Sequence, residues 1–334
     1  MTVLCLVETD AGGAADASLR ALVVARELAK SAGEELAAAW FGPSAGVAAA
    51  DLAAAGVSSA WAIGSADLPG YAPLAWARAL AGLSSGVAGP VSAVVAAATD
   101  HGNEVLAHLA AISDLPMAAN CVSASVTAPA QFALVRQRWA GSLLEDAVLE
   151  APMAVLTVAA DAIPAEQVAA GAGERGPGDV RVAKYEPELG ESDVLVRAAE
   201  STDRKSGVSL ASARVVVGGG RGVGGPDGFA VLEELAGLLG GVVGVSRVVT
   251  SEGWRPHRQQ VGQTGTKITP ELYMACGISG AIQHMAGCQG AKTIVAINTD
   301  AGAPIVSKAD YAVIGDLHEV LPALIEAIKA RGGG

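Results

Sequence analysis

The sequence predicts an α/β protein of two domains. Apolar runs of strand length alternate with helix-patterned segments, as in a parallel sheet covered on both faces. A polar, small-residue segment (residues 198–212, AAESTDRKSGVSLAS) interrupts that alternation. Beyond it the rhythm restarts with a strand, a glycine-rich turn and a helix. The boundary is placed near Ser206, giving domains 1–205 and 206–334. A chain of 334 residues is long for one domain, and at 51% hydrophobic and 17% charged it can bury two cores.

In the first domain, residues 3–7 (VLCLV) read as a buried strand. A helix follows in which Leu22, Ala25, Ala29 and Ala32 share one face; Ser18 is placed to cap it and Gly33 to end it. The same pattern gives strands at 36–41 and 60–63, a helix around 75–81, and a strand at 91–98 after Pro90. Strands at 132–135 and 154–158 have few helical spacers between them, which predicts a more antiparallel arrangement. Residues 171–179 are glycine-rich and read as a surface loop. In the second domain, residues 214–217 form a strand, GGGRGVGG (218–225) a turn, 229–239 a helix, and 241–245, 293–298 and 311–315 further strands.

Net charge is −12, which disfavours nucleic acid as a partner. The charge is uneven. From Lys205 onward 11 Lys and Arg face 10 Asp and Glu, so the acidity belongs to the first domain. Cys5, Cys121, Cys276 and Cys288 show neither CxxC nor metal-ligand spacing, which fits a reducing compartment. Acids at Glu8 and Asp10 without a basic leader predict no targeting segment and a cytoplasmic chain. Two uncharged stretches, 79–99 and 115–135, reach membrane-spanning length. Their Pro, Ser, Thr and Gly residues read instead as loops and buried strands, so no membrane insertion is expected.

The second domain carries the candidate chemistry. Gly220, Gly222 and Gly225 fit GxGxxG between a strand and a helix, where backbone N–H groups can approach a phosphate. The competing reading is a tight turn that needs small residues. The next strand ends in Ser246-Arg247 where a dinucleotide dehydrogenase has an acid for the ribose, and Arg247 supplies a cation instead. Residues 259–266 (QQVGQTGT) are polar, uncharged and glycine-containing, suited to wrapping a ligand rich in heteroatoms. In residues 277–287 (GISGAIQHMAG), Ser279-Gly280 can start a short helix with Gln283 and His284 one turn in. A lone histidine there is more often structural, but this one shares its helix with a candidate anion site. Arg221, Ser246, Asn298 and Asp316 all stand just past strand ends, where parallel sheets bind ligands.

Together VGQTG, PELY, GISGAIQH, VAIN and ADY resemble the FAD-binding domain of electron transfer flavoprotein α subunits. The resemblance is strong over residues 214–324 and architectural before them. It implies a nucleotide-hydrolase-like α/β N-terminal domain and a Rossmann-like, parallel-sheet, FAD-binding C-terminal domain. It also implies site roles. Thr264 matches the threonine at flavin N5, with Gln263 and the Val261-Gly262 backbone holding the isoalloxazine and ribityl. Arg247 matches the arginine over the ring, beside Ser246, and His284 the histidine near the N1–C2=O edge. Ser279, Gly280, Ala281, Ile282 and Gln283 complete that cofactor segment. Arg221 lies in the GGRG turn; Asn298, Asp316 and Leu317 match positions around the AMP half; Gln260 is a further contact. Thr299 stands where the family often has Lys, which removes one phosphate contact.

The implied protein is an electron carrier rather than an enzyme with substrate chemistry of its own, and the sequence shows no catalytic triad. It would pair with an electron transfer flavoprotein β subunit containing AMP or a second FAD. It would pass electrons from acyl-CoA or other flavin dehydrogenases, as in fatty acid β-oxidation, to a quinone oxidoreductase. The alternatives are a nicotinamide- or thiamine-type enzyme using a similar nucleotide domain, or an adenine-nucleotide regulatory module. Arg247 in place of an acid, and the lack of a thiamine-activating glutamate pattern, count against the first.

Overall fold

The computed structural model describes residues 1–10, 13–43, 46–66, 68, 70–164, 167–168, 180–198, 210–211 and 213–332. The predicted loop at 171–179 and the boundary at Ser206 lie outside them. The chain divides into two compact units, Met1–Asp203 and Arg204–Gly334.

The first unit is built on a nine-stranded sheet. Its strands are β1 (Thr2–Leu6), β2 (Glu35–Phe41), β3 (Ser59–Ile63), β4 (Val91–Ala97), β5 (Met117–Ala128), β6 (Gln131–Arg138), β7 (Leu143–Glu150), β8 (Ala154–Val158) and β9 (Arg181–Tyr185). Their spatial order is β9-β3-β2-β1-β4-β8-β5-β6-β7. All pairings are parallel except β5–β6 and β6–β7, the antiparallel edge expected from the scarcity of helical spacers. The central strands are apolar throughout because both faces are covered. Leu22, Leu28 and Trp40 pack on one side, and Leu80, Leu83, Leu106 and Leu109 on the other.

Three local details differ from the sequence reading. Helix α1 (Asp16–Ala32) starts before Ser18, with Ala15 at the N-cap and Asp16 paired to Arg20 one turn on. Ser18 is therefore inside the helix, where its hydroxyl accepts from the Glu8 N–H at 2.9 Å and ties down the chain after β1. Gly33 ends α1 in the left-handed conformation, as expected. After the short helix α2 (Ala49–Ala54), residues 79–99 cover the end of α3 (Pro73–Gly82), a π-helical turn and β4; residues 115–135 contain β5 and part of β6. A further helix, α4 (Asp100–Ile112), was absent from the sequence reading; Thr99 caps it by accepting from Gly102 N–H at 2.8 Å. Among the described residues no helix is long and apolar enough to cross a membrane.

The second unit has five parallel strands: β10 (Val215–Gly219), β11 (Val242–Val245), β12 (Leu272–Cys276), β13 (Ile294–Asn298) and β14 (Tyr311–Ile314). Their order is β11-β10-β12-β13-β14, a doubly wound sheet with its switch point between β10 and β12. One face is covered by α5 (Phe229–Leu238) and α6 (Leu317–Gly332), through Phe229, Leu232, Leu235, Leu321 and Ile325. The opposite face is covered by irregular chain, through Val261, Ile268, Ile278, Cys288 and Ile305. The loops that the sequence singles out are thus part of a hydrophobic core, which fixes them on a rigid sheet.

Candidate functional site

All five strands of the second unit deliver residues to one cavity beyond their carboxyl ends. It measures about 800 Å³, in the upper part of the ~300–1,000 Å³ range of cofactor sites. Fifteen of the seventeen expected residues line it. Gly280 and Ile282 do not. Gly280 has φ 79° and is packed so closely that a Cβ would lie 2.5 Å from Ile305 N, so it shapes the turn without facing the cavity. Ile282 is 82% exposed and points to solvent.

The glycine-rich turn behaves differently from the phosphate cradle expected of GxGxxG. The Gly220 N–H donates to Cys276 O at 2.9 Å and the Gly222 N–H to Gly277 O at 3.1 Å, so both are already engaged by backbone. A Cβ on Gly222 would sit 2.7 Å from Gly277 Cα. These glycines let two turns at the switch point pack backbone to backbone. Arg221, between them, is exposed at the cavity.

The loop after β11 begins with a five-residue helix (Arg247–Ser251) and returns through residues 260–266. Gln260 is 2% exposed and both ends of its amide are engaged. Its Oε1 accepts from the Thr250 hydroxyl at 2.7 Å, and its Nε2 donates to Thr264 Oγ1 at 3.0 Å. Gln260 is therefore a clamp between the Arg247 helix and Thr264. Because Thr264 accepts from Gln260, its own hydroxyl proton is left to point outward as a donor. The Gln263 N–H is held by Gln283 O at 2.7 Å, which joins this loop to the GISGAIQH segment.

In that segment the helix begins later than expected, at Ile282–Met285 with Ala281 as N-cap. Residues 277–280 form the turn leading from β12, where positive φ at Gly277 and Gly280 is incompatible with a helix start at Ser279. His284 is buried, and its Nε2 lies 2.7 Å from the Tyr273 hydroxyl. Burial pulls the imidazole pKa down to about 4, against a weaker upward pull from the nearby Val261 backbone. Nδ1 nevertheless has no hydrogen-bond partner of proper geometry among the described residues. The Val261 backbone is thus a weak, poorly aligned contact for this buried imidazole.

The remaining expected residues have structural duties as well. Asn298 donates to Ile278 O at 2.9 Å and accepts from Asp300 N–H at 3.0 Å, pinning two turns together. Asp316 Oδ1 accepts from His318 N–H at 2.9 Å and caps α6. Leu317 is buried under the cavity floor. Arg221 and Arg247 make no side-chain ion pair with a described residue, leaving two guanidinium groups at the rim. The cavity also contains Ser251, Glu252, Thr299 and Asp300, of which the sequence reading picked out only Thr299. Asp300 had a legible signal. The NTDAG run after a strand makes an Asx turn, seen here as Gly302 N–H to Asp300 Oδ1 at 2.8 Å. Glu252, one turn after Arg247, had none.

The second unit is a doubly wound nucleotide-site fold whose cavity combines two cations, amide and hydroxyl donors, and the edge of a buried histidine. The family models for the electron transfer flavoprotein domain and the electron transfer flavoprotein FAD-binding domain match residues 3–187 and 209–289 respectively. The electron transfer flavoprotein α subunit of Mycobacterium leprae is 42% identical over 242 residues, 72% of this chain and 73% of the relative. That of Paracoccus denitrificans is 42% identical over 248 residues, 74% and 76%. That of Thermoanaerobacterium thermosaccharolyticum is 51% identical over 152 residues, 45% and 46%, so that match spans under half of each chain. The chain belongs to the electron transfer flavoprotein α-subunit family and has that family's FAD-binding domain. The match over residues 3–187 extends the relationship well into the part where the sequence reading found only architecture.

Proposed function

We propose that the chain is the α subunit of a heterodimeric electron carrier that holds one FAD in the cavity of its second unit. The observation that carries the reading is the cavity of about 800 Å³ beyond the strand ends, where Arg221 and Arg247 make no side-chain ion pair with a described residue and stand beside the exposed Gln263 and Thr264. The residues present fit a flavin dinucleotide. Arg221 and Arg247 supply charge for a diphosphate and for a reduced ring. Thr264 and Gln263 supply polar groups from a loop joined to the His284 segment through the Gln263 N–H and Gln283 O, and the 260–266 and 277–281 backbones shape the cavity. When bound, the flavin supplies the redox chemistry. The protein's part is to hold positive charge and oriented donors where negative charge develops, in a site with little water.

The reading includes a β subunit carrying AMP or a second FAD. It also includes electron donors among acyl-CoA or other flavin dehydrogenases, and a quinone oxidoreductase as acceptor. An apolar surface for the β subunit is available around the β6–β7 turn, where Trp139 is 81%, Leu144 66% and Val148 65% exposed. The test is a coupled assay with the chain co-purified with its β subunit, an acyl-CoA dehydrogenase, its substrate and a one-electron acceptor dye. Dye reduction that requires the heterodimer supports the proposal. A rate equal to that without the heterodimer, across a panel of flavin dehydrogenases, rejects it.

A further inference from the structure

We propose that Thr250 and Gln260 are positioning residues that form a reversible hydrogen-bond relay, which lets the Thr264 hydroxyl either donate to or accept from the ligand in the cavity. The inference rests on the FAD reading of that cavity and deepens it. Gln260 is 2% exposed, and its amide lies between Thr250 Oγ1 at 2.7 Å and Thr264 Oγ1 at 3.0 Å. Thr264 is itself exposed and lines the cavity, so the relay ends there. At the other end the Thr250 hydroxyl has a second acceptor, Arg247 O, at 2.9 Å. A hydroxyl carries one proton, so Thr250 donates fully to only one of the two.

The spare acceptor permits two arrangements. In the first, Thr250 donates to Gln260 Oε1, Nε2 donates to Thr264, and the Thr264 proton is left for the cavity. The contact lengths match it, since 2.7 Å suits O–H···O and 3.0 Å suits N–H···O. In the second, a half-turn of the amide exchanges its oxygen and nitrogen. Thr264 then donates to Oε1, Nε2 donates to Thr250, and Thr250 donates to Arg247 O. The cavity now meets a Thr264 lone pair instead of a proton. No proton leaves its own atom in this exchange. An acceptor in the cavity favours the first arrangement, because the second sets lone pairs face to face. A donor favours the second, because the Thr264 proton then keeps a partner; the ligand thus biases the relay through its differential contacts. A flavin presents both kinds of group at one place. A ring nitrogen that is a bare acceptor in the oxidised form becomes an N–H once two electrons, from the reduced donor, and a proton, from water, have been added. A fixed hydroxyl would pair well with only one of these forms.

The test uses the full chain purified with its β subunit and loaded with FAD, its glutamines 13C-labelled at the side-chain amide. The infrared difference between the fully reduced and oxidised complexes reads the Gln260 carbonyl, identified by the loss of its band in Gln260→Glu. The expected result is a band that shifts on reduction, as Oε1 exchanges Thr250 for Thr264 as its donor. Thr250→Val removes both roles of that hydroxyl. Oε1 then faces the valine, because a bare buried oxygen is tolerated better than an unpaired N–H, and the relay is locked in its first arrangement. The band shift should be lost there. Fully reduced FAD should bind about tenfold more weakly relative to oxidised FAD, the size of one hydrogen bond. Thr250→Ser, which keeps the hydroxyl, should behave as wild type. An unshifted Gln260 band in the wild type overturns the proposal, and that result stands even if Thr250→Val does not fold. A wild-type shift and affinity ratio in Thr250→Val overturns it as well. A complex that takes up no FAD overturns the reading of the cavity, and the relay with it.

Discussion

Gly287 closes the segment after His284 against the loop that presents Thr264, and alanine there should separate them. A Cβ at this position would fall inside contact distance of Gly262 N and Cα, and 2.9 Å from Gly262 C. Ordinary carbon contacts need ~3.5–4.0 Å, so the two backbones must part by roughly 1 Å. Both opposing groups are backbone, so no side chain can swing aside. Gly287 does not occupy the left-handed region, so its own conformation suits alanine and the effect is purely one of packing. The Gly287 carbonyl also accepts from Ile268 N–H at 2.7 Å, so the strain spreads along the same loop. Overpacking of this kind costs typically ~1–3 kcal/mol. If it is expressed at the site, FAD affinity falls about 5- to 150-fold. Flavin fluorescence titration and a thermal melt measure the two shares. Wild-type values in both would refute the claim that the 260–266 loop is held by backbone-to-backbone packing.

Thr264→Ala removes the acceptor of a buried Gln260 N–H and should destabilise the chain by ~1–2 kcal/mol while altering the flavin spectrum. An unchanged urea midpoint would show that the Gln260–Thr264 hydrogen bond contributes nothing net to stability. Arg247→Ala should lower the one-electron potential of the bound flavin, read by reductive titration, since a nearby cation favours the reduced, negatively charged ring. The His284 pKa falls from 6.5 to about 4 on folding, so the unfolded chain binds the extra proton between those values. Stability of the cofactor-free chain should therefore drop as pH falls from about 6.5 towards 4, by up to ~3 kcal/mol. That part of the pH dependence should vanish in His284→Asn. Burial holds Cys5, Cys276 and Cys288 near pKa 12 and Cys121 near 11, so a thiol reagent at pH 8 should modify none of the four until the chain unfolds.

Much of the second unit was legible because its strands and their polar ends follow local rules. Residues 294–298 and 311–314 are apolar runs of strand length, and parallel topology puts Asn298 and Asp316 at the same end. What could not be read is long-range. Nothing local links Thr250, Gln260 and Thr264 into one hydrogen-bonded chain, or brings Tyr273 to His284. The GxGxxG spacing misled for a related reason. The same three glycines serve a phosphate or a close-packed turn, and only the position of Gly277 opposite Gly222 decides between them. Ser18 misled because serine is equally at home at a cap and within the first turn, where it can accept from another segment. Helix α4 was legible in principle, through Thr99 and the spacing of Val105, Leu106 and Leu109, but its flanking uncharged stretches obscured it.

The central claim is that the cavity of the second unit is a FAD site. The direct measurement is the visible spectrum and flavin content of the full chain purified with its β subunit, compared with an Arg247→Ala, His284→Gln double variant. The account predicts a yellow wild-type complex with one FAD assigned to this chain, and a variant depleted of that flavin. A colourless wild-type complex that cannot be reconstituted with FAD, or a double variant that retains its full flavin content, would contradict it.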